Sequence, residues 1–130
     1  MNKLKGNISD VEVHHHLSLV TIRVNDVRLT SIILNEGDYS PMAGEETHVI
    51  FKETEVTLGL DEYLPVSQQN QIPGCIKNLE KGKLLARVSI DSVCGPINAI
   101  VTANAIEQLQ LQKGSKVKAL IKTNELMLSD

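Results

Sequence analysis

Ser67-Gln68-Gln69-Asn70-Gln71-Ile72-Pro73-Gly74 contains the pattern Asn-x-aliphatic-x-Gly, which the chain has already used at its start, in Asn2-Lys3-Leu4-Lys5-Gly6. Sliding the sequence by 68 residues extends the match without a gap from residues 2–34 onto 70–102, with identities at Asn2/Asn70, Gly6/Gly74, Ile8/Ile76, Glu12/Glu80, Leu17/Leu85, Val20/Val88, Ile22/Ile90 and Ile32/Ile100. Two extra residues in the second copy then set the offset to 70, which pairs Gly44/Gly114, Lys52/Lys122, Glu55/Glu125 and Leu58/Leu128. Agreement that keeps both glycines and the apolar spacing over two whole halves marks two copies of one structural unit. The expected organisation is a first unit over residues 1–60, a linker over 61–69 with the boundary near Leu64, and a second unit over 70–130.

Each copy reads as β-structure. Residues 3–13 carry Leu4, Ile8, Val11 and Val13 interrupted by Gly6, the pattern of a bent or bulged strand. In residues 17–24, Val20, Ile22 and Val24 alternate with Thr21 and Arg23. Asn25-Asp26 then turns the chain into a third strand over 27–34, which makes a hairpin. Residues 35–43, with Gly37 and Pro41, read as an irregular crossover, and 47–52 and 55–58 supply two more strands. The second copy repeats the plan over 72–81, 84–91, 96–101, 116–121 and 125–128. Its crossover differs, because Thr102 is a suitable cap for a short helix over 103–111 with Ile106 and Leu109 on one face. Residues 59–69, with Asp61, Glu62, Pro65 and Ser67, lack periodicity and read as an exposed linker. The fold class is all-β: two tandem OB-like five-stranded β-barrels, with a short crossover helix in the second. A unit of about 60 residues is near the lower limit for an independent core, so each copy is expected to lean on the other or on a neighbouring subunit.

Composition narrows the function. The aromatics are Tyr39, Phe51 and Tyr63, with no Trp, so a stacking surface for single-stranded nucleic acid is missing. A net charge of −3 opposes a nucleic-acid footprint as well. No apolar run is long enough for a membrane-spanning helix, and nothing at the start resembles a signal peptide. Cys75 and Cys94 lack CxxC spacing and read as reduced thiols of a cytoplasmic protein. Neither paired carboxylates nor a Ser-His-Asp order, P-loop or dinucleotide fingerprint is present, so no catalytic residue is assigned and an enzyme is not expected. His14-His15-His16 invites a metal reading, but the second copy has Gly82-Lys83-Leu84 there. The triplet reads as a solvated hairpin connection, and no metal-cation site is assigned.

The motif Ser-x-x-Asn-x-aliphatic-x-Gly is followed by a hairpin ending in Thr30-Ser31-Ile32-Ile33 or Asn98-Ala99-Ile100-Val101. Gly114-x-x-Val117-x-Ala119-Leu120-Ile121-Lys122 comes next. This ordered set resembles the molybdate-binding Mop, or TOBE-type, domain, and two in tandem look like a di-Mop protein. The second half is also similar to the last part of the molybdate-responsive transcription regulator. The resemblance implies an OB-like fold and a homo-oligomer, with a trimer favoured over a dimer, that binds molybdate or tungstate between Mop units for intracellular storage, with no covalent cofactor and with neither nucleic acid nor membrane as partner. An oxyanion-sensing effector module of a transcription regulator or of a transporter ATPase is the alternative. By position, the implied oxyanion ligands are Asn2, Thr30, Ser31, Lys52, Thr54, Ser67, Gln69, Asn70, Asn98, Lys122, Thr123 and Asn124. Gln69 stands where the family usually carries arginine.

These residue types suit that chemistry. An unprotonated tetrahedral dianion offers acceptors only, so its site needs donors: backbone N–H groups, hydroxyls, amides and lysine ammonium groups. On the residues alone, Lys52 and Lys122 are either strand-end lysines in solvent or such donors. Thr30 and Ser31 read first as ordinary strand hydroxyls, and Ser67 and Asn70 first as turn formers. Gly6 and Gly74 read as structural, permitting a bulge or the close approach of another segment.

Overall fold

The alternating stretches do form strands, in a computed structural model that describes residues 1–35, 40–60, 63 and 65–129. Strands β1 (Asn2–His14), β2 (Leu17–Val24), β3 (Val27–Leu34) and β4 (Glu46–Phe51) precede a 3-10 turn at Glu53–Glu55 and strand β5 (Thr57–Leu60). The second half contributes β6 (Asn70–Lys81), β7 (Leu85–Ser92), β8 (Gly95–Thr102), helix α1 (Ala103–Gln108), β9 (Lys116–Ile121) and β10 (Met127–Ser129). The fold is all-β with OB-like units, as the repeat implies. Part of the expected first crossover, including Gly37, and the expected boundary at Leu64, together with Asp61 and Glu62, fall outside the described residues.

The long first strand of each half changes face part-way. In β1 the buried positions are Asn2, Leu4, Gly6 and Ile8, until a bulge between Ile8 and Asp10 inserts one residue and makes Val11 the inward position. In β6 the register shifts at the repeat-equivalent place, between Ile76 and Asn78, and Leu79 turns inward. One extra residue must do this, because side chains alternate with a period of two. The glycines before each bulge are required by contact. A Cβ on Gly6 would lie 2.7 Å from the Arg23 carbonyl oxygen, and one on Gly74 2.7 Å from that of Asp91, closer than van der Waals contact allows.

The pairing of the fifth strands is a finding that the linear repeat does not express. One sheet has the order β10-β4-β1-β2-β3 and the other β5-β9-β6-β7-β8, so each half donates its last strand to the other half's sheet. Thr57 lies opposite Leu120 in one sheet and Met127 opposite Ile50 in the other, which are repeat-equivalent registers. Gly59 and Leu60, expected in the linker, pair with Lys118 and Val117. The strand expected from residue 55 starts later, because residues 53–55 form the 3-10 turn. That turn is flanked by extended Lys52 and Val56 and carries the chain across to the other sheet.

The exchange joins the interiors. Leu4, Ile8, Val20, Ile22, Leu29, Val49 and Phe51 belong to one continuous buried cluster with Ile72, Ile76, Val88, Ile90, Ile97, Val117 and Ile121. Each fully buried aliphatic or Phe side chain contributes about 2 kcal/mol. Sharing the cluster therefore supports halves that are each near the lower size limit. The two hairpin turns also meet. The Asn25 Nδ2 donates to the Val93 carbonyl at 2.9 Å, and the Cys94 thiol reaches the Val24 carbonyl at 3.6 Å. Helix α1 is capped as expected, with Thr102 Oγ1 accepting the Ala105 N–H at 3.1 Å. It ends at Gln108, short of the expected 111, with Leu109 as its C-cap.

Candidate functional site

Asn2 and Asn70 open β1 and β6, are buried, and are each fastened to the opposite half. The Asn70 Oδ1 accepts the Thr30 N–H at 2.7 Å and its Nδ2 donates to the Thr30 carbonyl at 2.9 Å. The Asn2 Oδ1 accepts the Asn98 N–H, and its Nδ2 donates to the Asn98 carbonyl, both at 2.8 Å. Thr30 and Asn98 are themselves repeat partners, so the two clamps are copies. An asparagine suits the task because its amide presents a donor and an acceptor side by side, as a neighbouring strand would, and keeps one further N–H on Nδ2.

The clamps position the expected ligand segments. Asn2 lies opposite Phe51 and Asn70 opposite Ile121, so Lys52 and Lys122 follow directly beside them. Each lysine starts a tight turn in which its carbonyl accepts the N–H of Glu55 or Glu125 at 3.0 Å. In the first turn the Glu55 carboxylate also accepts the Lys52 backbone N–H at 2.8 Å. The second turn is tied across the halves, because Ile32 N–H donates to the Thr123 carbonyl at 3.1 Å and the Ser31 hydroxyl donates to the Leu126 carbonyl.

The expected positions thus fall into two repeat-related groups. Asn2, Lys52, Thr54 and Asn98 form one. Gln69, Asn70, Thr30, Ser31, Lys122, Thr123 and Asn124 form the other. Lys52, Thr54, Gln69, Lys122 and Asn124 are exposed, and Thr30, Asn98 and Thr123 are half-buried. Asn2, Asn70 and Ser31 are buried with their polar atoms engaged in protein hydrogen bonds, so their present work is to hold segments together. Thr30 spends both backbone groups on Asn70, which leaves its hydroxyl, 3.4 Å from the Asn70 Oδ1. The Asn98 Oδ1 accepts from the Ser89 hydroxyl at 3.0 Å. Ser67 stands exposed on the bend before β6, outside the clamps.

Two charged residues near the first group were not among the expected ligands. The Glu53 carboxylate pairs with the Met1 ammonium group, and its side chain is 22% exposed. The hydrogen bond from that ammonium, then one from its own backbone, with the charges of Met1 and Arg87 assisting, hold the Glu53 carboxyl below the usual carboxylate range. Glu53 was legible in principle, since the offset of 70 sets it against Thr123. Arg87 is set against Leu19 at the offset of 68, and its approach to Glu53 is tertiary.

The outer faces of the two hairpins carry matching hollows. Val13, Leu17 and Ile32 line one, beside Glu12 and Leu19; Lys81, Leu85 and Ile100 line the other, beside Glu80 and Arg87. These are the same positions at an offset of 68, and Val13, Leu17, Ile32 and Leu85 are all more than 40% exposed.

Over almost its whole length the chain superposes on a solved structure of the cytoplasmic molybdate-binding protein ModG with molybdate bound, with a TM-score of 0.91 and 28% identity over 98% of this chain and 94% of that one. Residues 66–128 match the TOBE domain. The chain is a tandem Mop-type protein of the TOBE family. Among curated relatives, molybdenum-pterin-binding proteins 1 and 2 of Clostridium pasteurianum are 29% and 27% identical over 66 residues, covering 50% of this chain and 97% of each relative. Each is therefore matched almost end to end by half of this chain, as expected if a Mop unit is the repeating element. The expected identity of the repeat as a Mop unit is thereby met. Among the described residues no helix is long and apolar enough to cross a membrane.

Proposed function

We propose that this tandem Mop protein binds molybdate, or tungstate, at interfaces between Mop units and holds it in the cytoplasm for storage and homeostasis, without transforming it. The observation that carries the reading is the cross-half clamp. Asn70 holds the Thr30 backbone and the Thr123 carbonyl holds Ile32, so segments far apart in sequence that carry hydroxyl, amide and ammonium groups are fastened to one another. In that arrangement Lys122, Thr123, Asn124, Gln69 and Thr30 are the donors to the anion, with Ser67 at the margin. Asn70 and Ser31 position them. Lys52, Thr54, Asn98 and Asn2 have the corresponding roles in the first group. The likeness to molybdate-bound ModG over nearly the whole chain supports the same reading.

Donor-only chemistry gives selectivity. Hydrogen phosphate needs an acceptor for its proton, and a site that turns its N–H and O–H groups inward disfavours it. The chain acts as a homo-oligomer, a trimer, for which the matched hollows on the hairpin faces, apolar at Leu17 and Ile32 in one and at Leu85 and Ile100 in the other, are the supporting feature. Isothermal titration with molybdate, tungstate, sulfate and phosphate, together with native mass spectrometry, tests the proposal. Saturable molybdate uptake that survives excess sulfate, in a closed oligomer, is the expected result. Absence of heat with every oxyanion would refute it.

A further inference from the structure

The two repeat-related groups have the same backbone plan and different charge. In the second, the turn after β9 reads Lys122-Thr123-Asn124, and the residue before the clamp asparagine is Gln69, so the side chains present hydroxyl, amide and ammonium donors. In the first, the turn after β4 reads Lys52-Glu53-Thr54, and Glu53 takes the place of Thr123. Glu55 and Glu125 are common to both turns and cannot distinguish them. Glu53 is engaged within the group, paired with the ammonium group of Met1, the neighbour of the clamp residue Asn2, and lying in the field of Arg87. A carboxylate offers acceptors only and carries the sign of the ligand.

We infer that Glu53 acts as a built-in anion that fills the electrostatic role of the oxyanion in the first group, so that the two halves of each chain are unequal and the Thr30/Asn70/Thr123 group is the one that takes molybdate. The inference rests on the oxyanion reading above and deepens it. The Met1 ammonium group, in direct contact, and Arg87, through its charge, are the cations that Glu53 answers, so the first group is a closed form of the second, and replacing one carboxylate opens it.

The test uses the whole chain and molybdate itself, with bound anion per chain read by equilibrium dialysis or titration, and circular dichroism melts to verify folding. Glu53→Gln keeps the shape and removes the charge, and Glu53→Thr restores the residue of the second copy. Either is expected to raise the saturating amount of molybdate per chain to about twice that of the parent, since two equivalent donor groups then compete with no internal anion. Thr123→Glu transfers the device to the second group and is expected to weaken molybdate binding by at least about tenfold, the usual consequence of placing like charge at an anion site. The combination Glu53→Thr with Thr123→Glu is expected to move the site and restore binding.

An unchanged stoichiometry in both Glu53 variants, or undiminished binding in Thr123→Glu, overturns the inference while leaving oxyanion binding intact. Absence of molybdate binding in the parent and in the Glu53 variants alike overturns the parent reading itself. Binding that appears only when Glu53 is replaced overturns the assignment of the Thr30/Asn70/Thr123 group as the occupied one.

Discussion

The two halves of this chain agree where backbone must be held and differ in individual side chains carried on that frame. Gly6 and Gly74, the bulges after Ile8 and Ile76, and the clamps of Asn2 and Asn70 are repeated almost atom for atom. By contrast, Glu53 stands against Thr123, Ser31 against Ala99, and Asp26 against Cys94. The shared features fix a geometry in which one half can seat its last strand in the other's sheet. The differences are free to vary because each is a local choice of side chain on the same frame. Duplication has thus kept the scaffold symmetric and left the chemistry of its two ends unequal.

The largest expected effect comes from breaking a shared element. Gly74→Val places a Cβ 2.7 Å from the Asp91 carbonyl oxygen and from Ile90 Cγ2, and overpacking of this kind costs about 3 kcal/mol. Gly6→Val, with equivalent contacts, should cost a similar amount, and urea unfolding curves of the two variants would show whether the halves are mechanically equal. If one variant unfolds at the parent midpoint, the symmetry of the frame is broken there.

Next in size are the clamps. Asn70→Ala removes its two hydrogen bonds to the Thr30 backbone and leaves that N–H and C=O without these partners, a loss of about 2–3 kcal/mol, and Asn2→Ala is expected to match it. Because the two clamps use different partners on opposite halves, the double variant should be close to additive in thermal or urea denaturation, within about 0.5 kcal/mol. A large positive coupling would mean that the halves separate as a step.

A smaller effect sharpens the difference at one matched position. Ser31 gives its proton to the Leu126 carbonyl, whereas Ala99, equally buried, has no hydroxyl. Ser31→Ala makes the halves alike and should cost about 1 kcal/mol by loss of that bond. No loss would show that the Leu126 carbonyl is satisfied equally well without it.

A pH-dependent effect concerns Cys94, buried where Asp26 of the other half is exposed. Burial pushes the Cys94 thiol up to about 11 from its ordinary 9.0, because the thiolate is poorly solvated there. The unfolded chain then loses its proton first as pH rises, so this contribution to stability is complete below about 9 and declines through about 11. Denaturation at pH 8 and pH 11 should show a decrease that shrinks in Cys94→Ala. Disulfide-exchange reagents at pH 8 should modify exposed Cys75 well before Cys94.

Much of the frame was readable in the residues. The strand limits of residues 17–24, 27–34 and 116–121 agree with those expected, because alternation and turn residues fix them locally, and the cap at Thr102 follows from side-chain chemistry. The start of β5 was read too early because Glu53–Glu55 forms a 3-10 turn that no apolar period announces. In the candidate site, the positions of Lys52 and Lys122 at strand ends were legible. The burial of Asn2, Asn70 and Ser31 was not, since a polar residue is buried only when a distant segment supplies its partners.

The sequence alone determined that this protein is a duplication of one five-strand unit, with a bulge and a structural glycine in each copy, since those features are written in spacing and side-chain size. Only the tertiary structure decided which sheet each fifth strand completes. β5 and β10 are repeat copies, so each has the apolar pattern to pair with either β4 or β9, and local periodicity is blind to that choice. The extended path through the turns at residues 53–55 and 123–125 carries each strand across to the other half, and the shared core closes behind it. The same crossing sets Asn70 against Thr30 and Asn2 against Asn98.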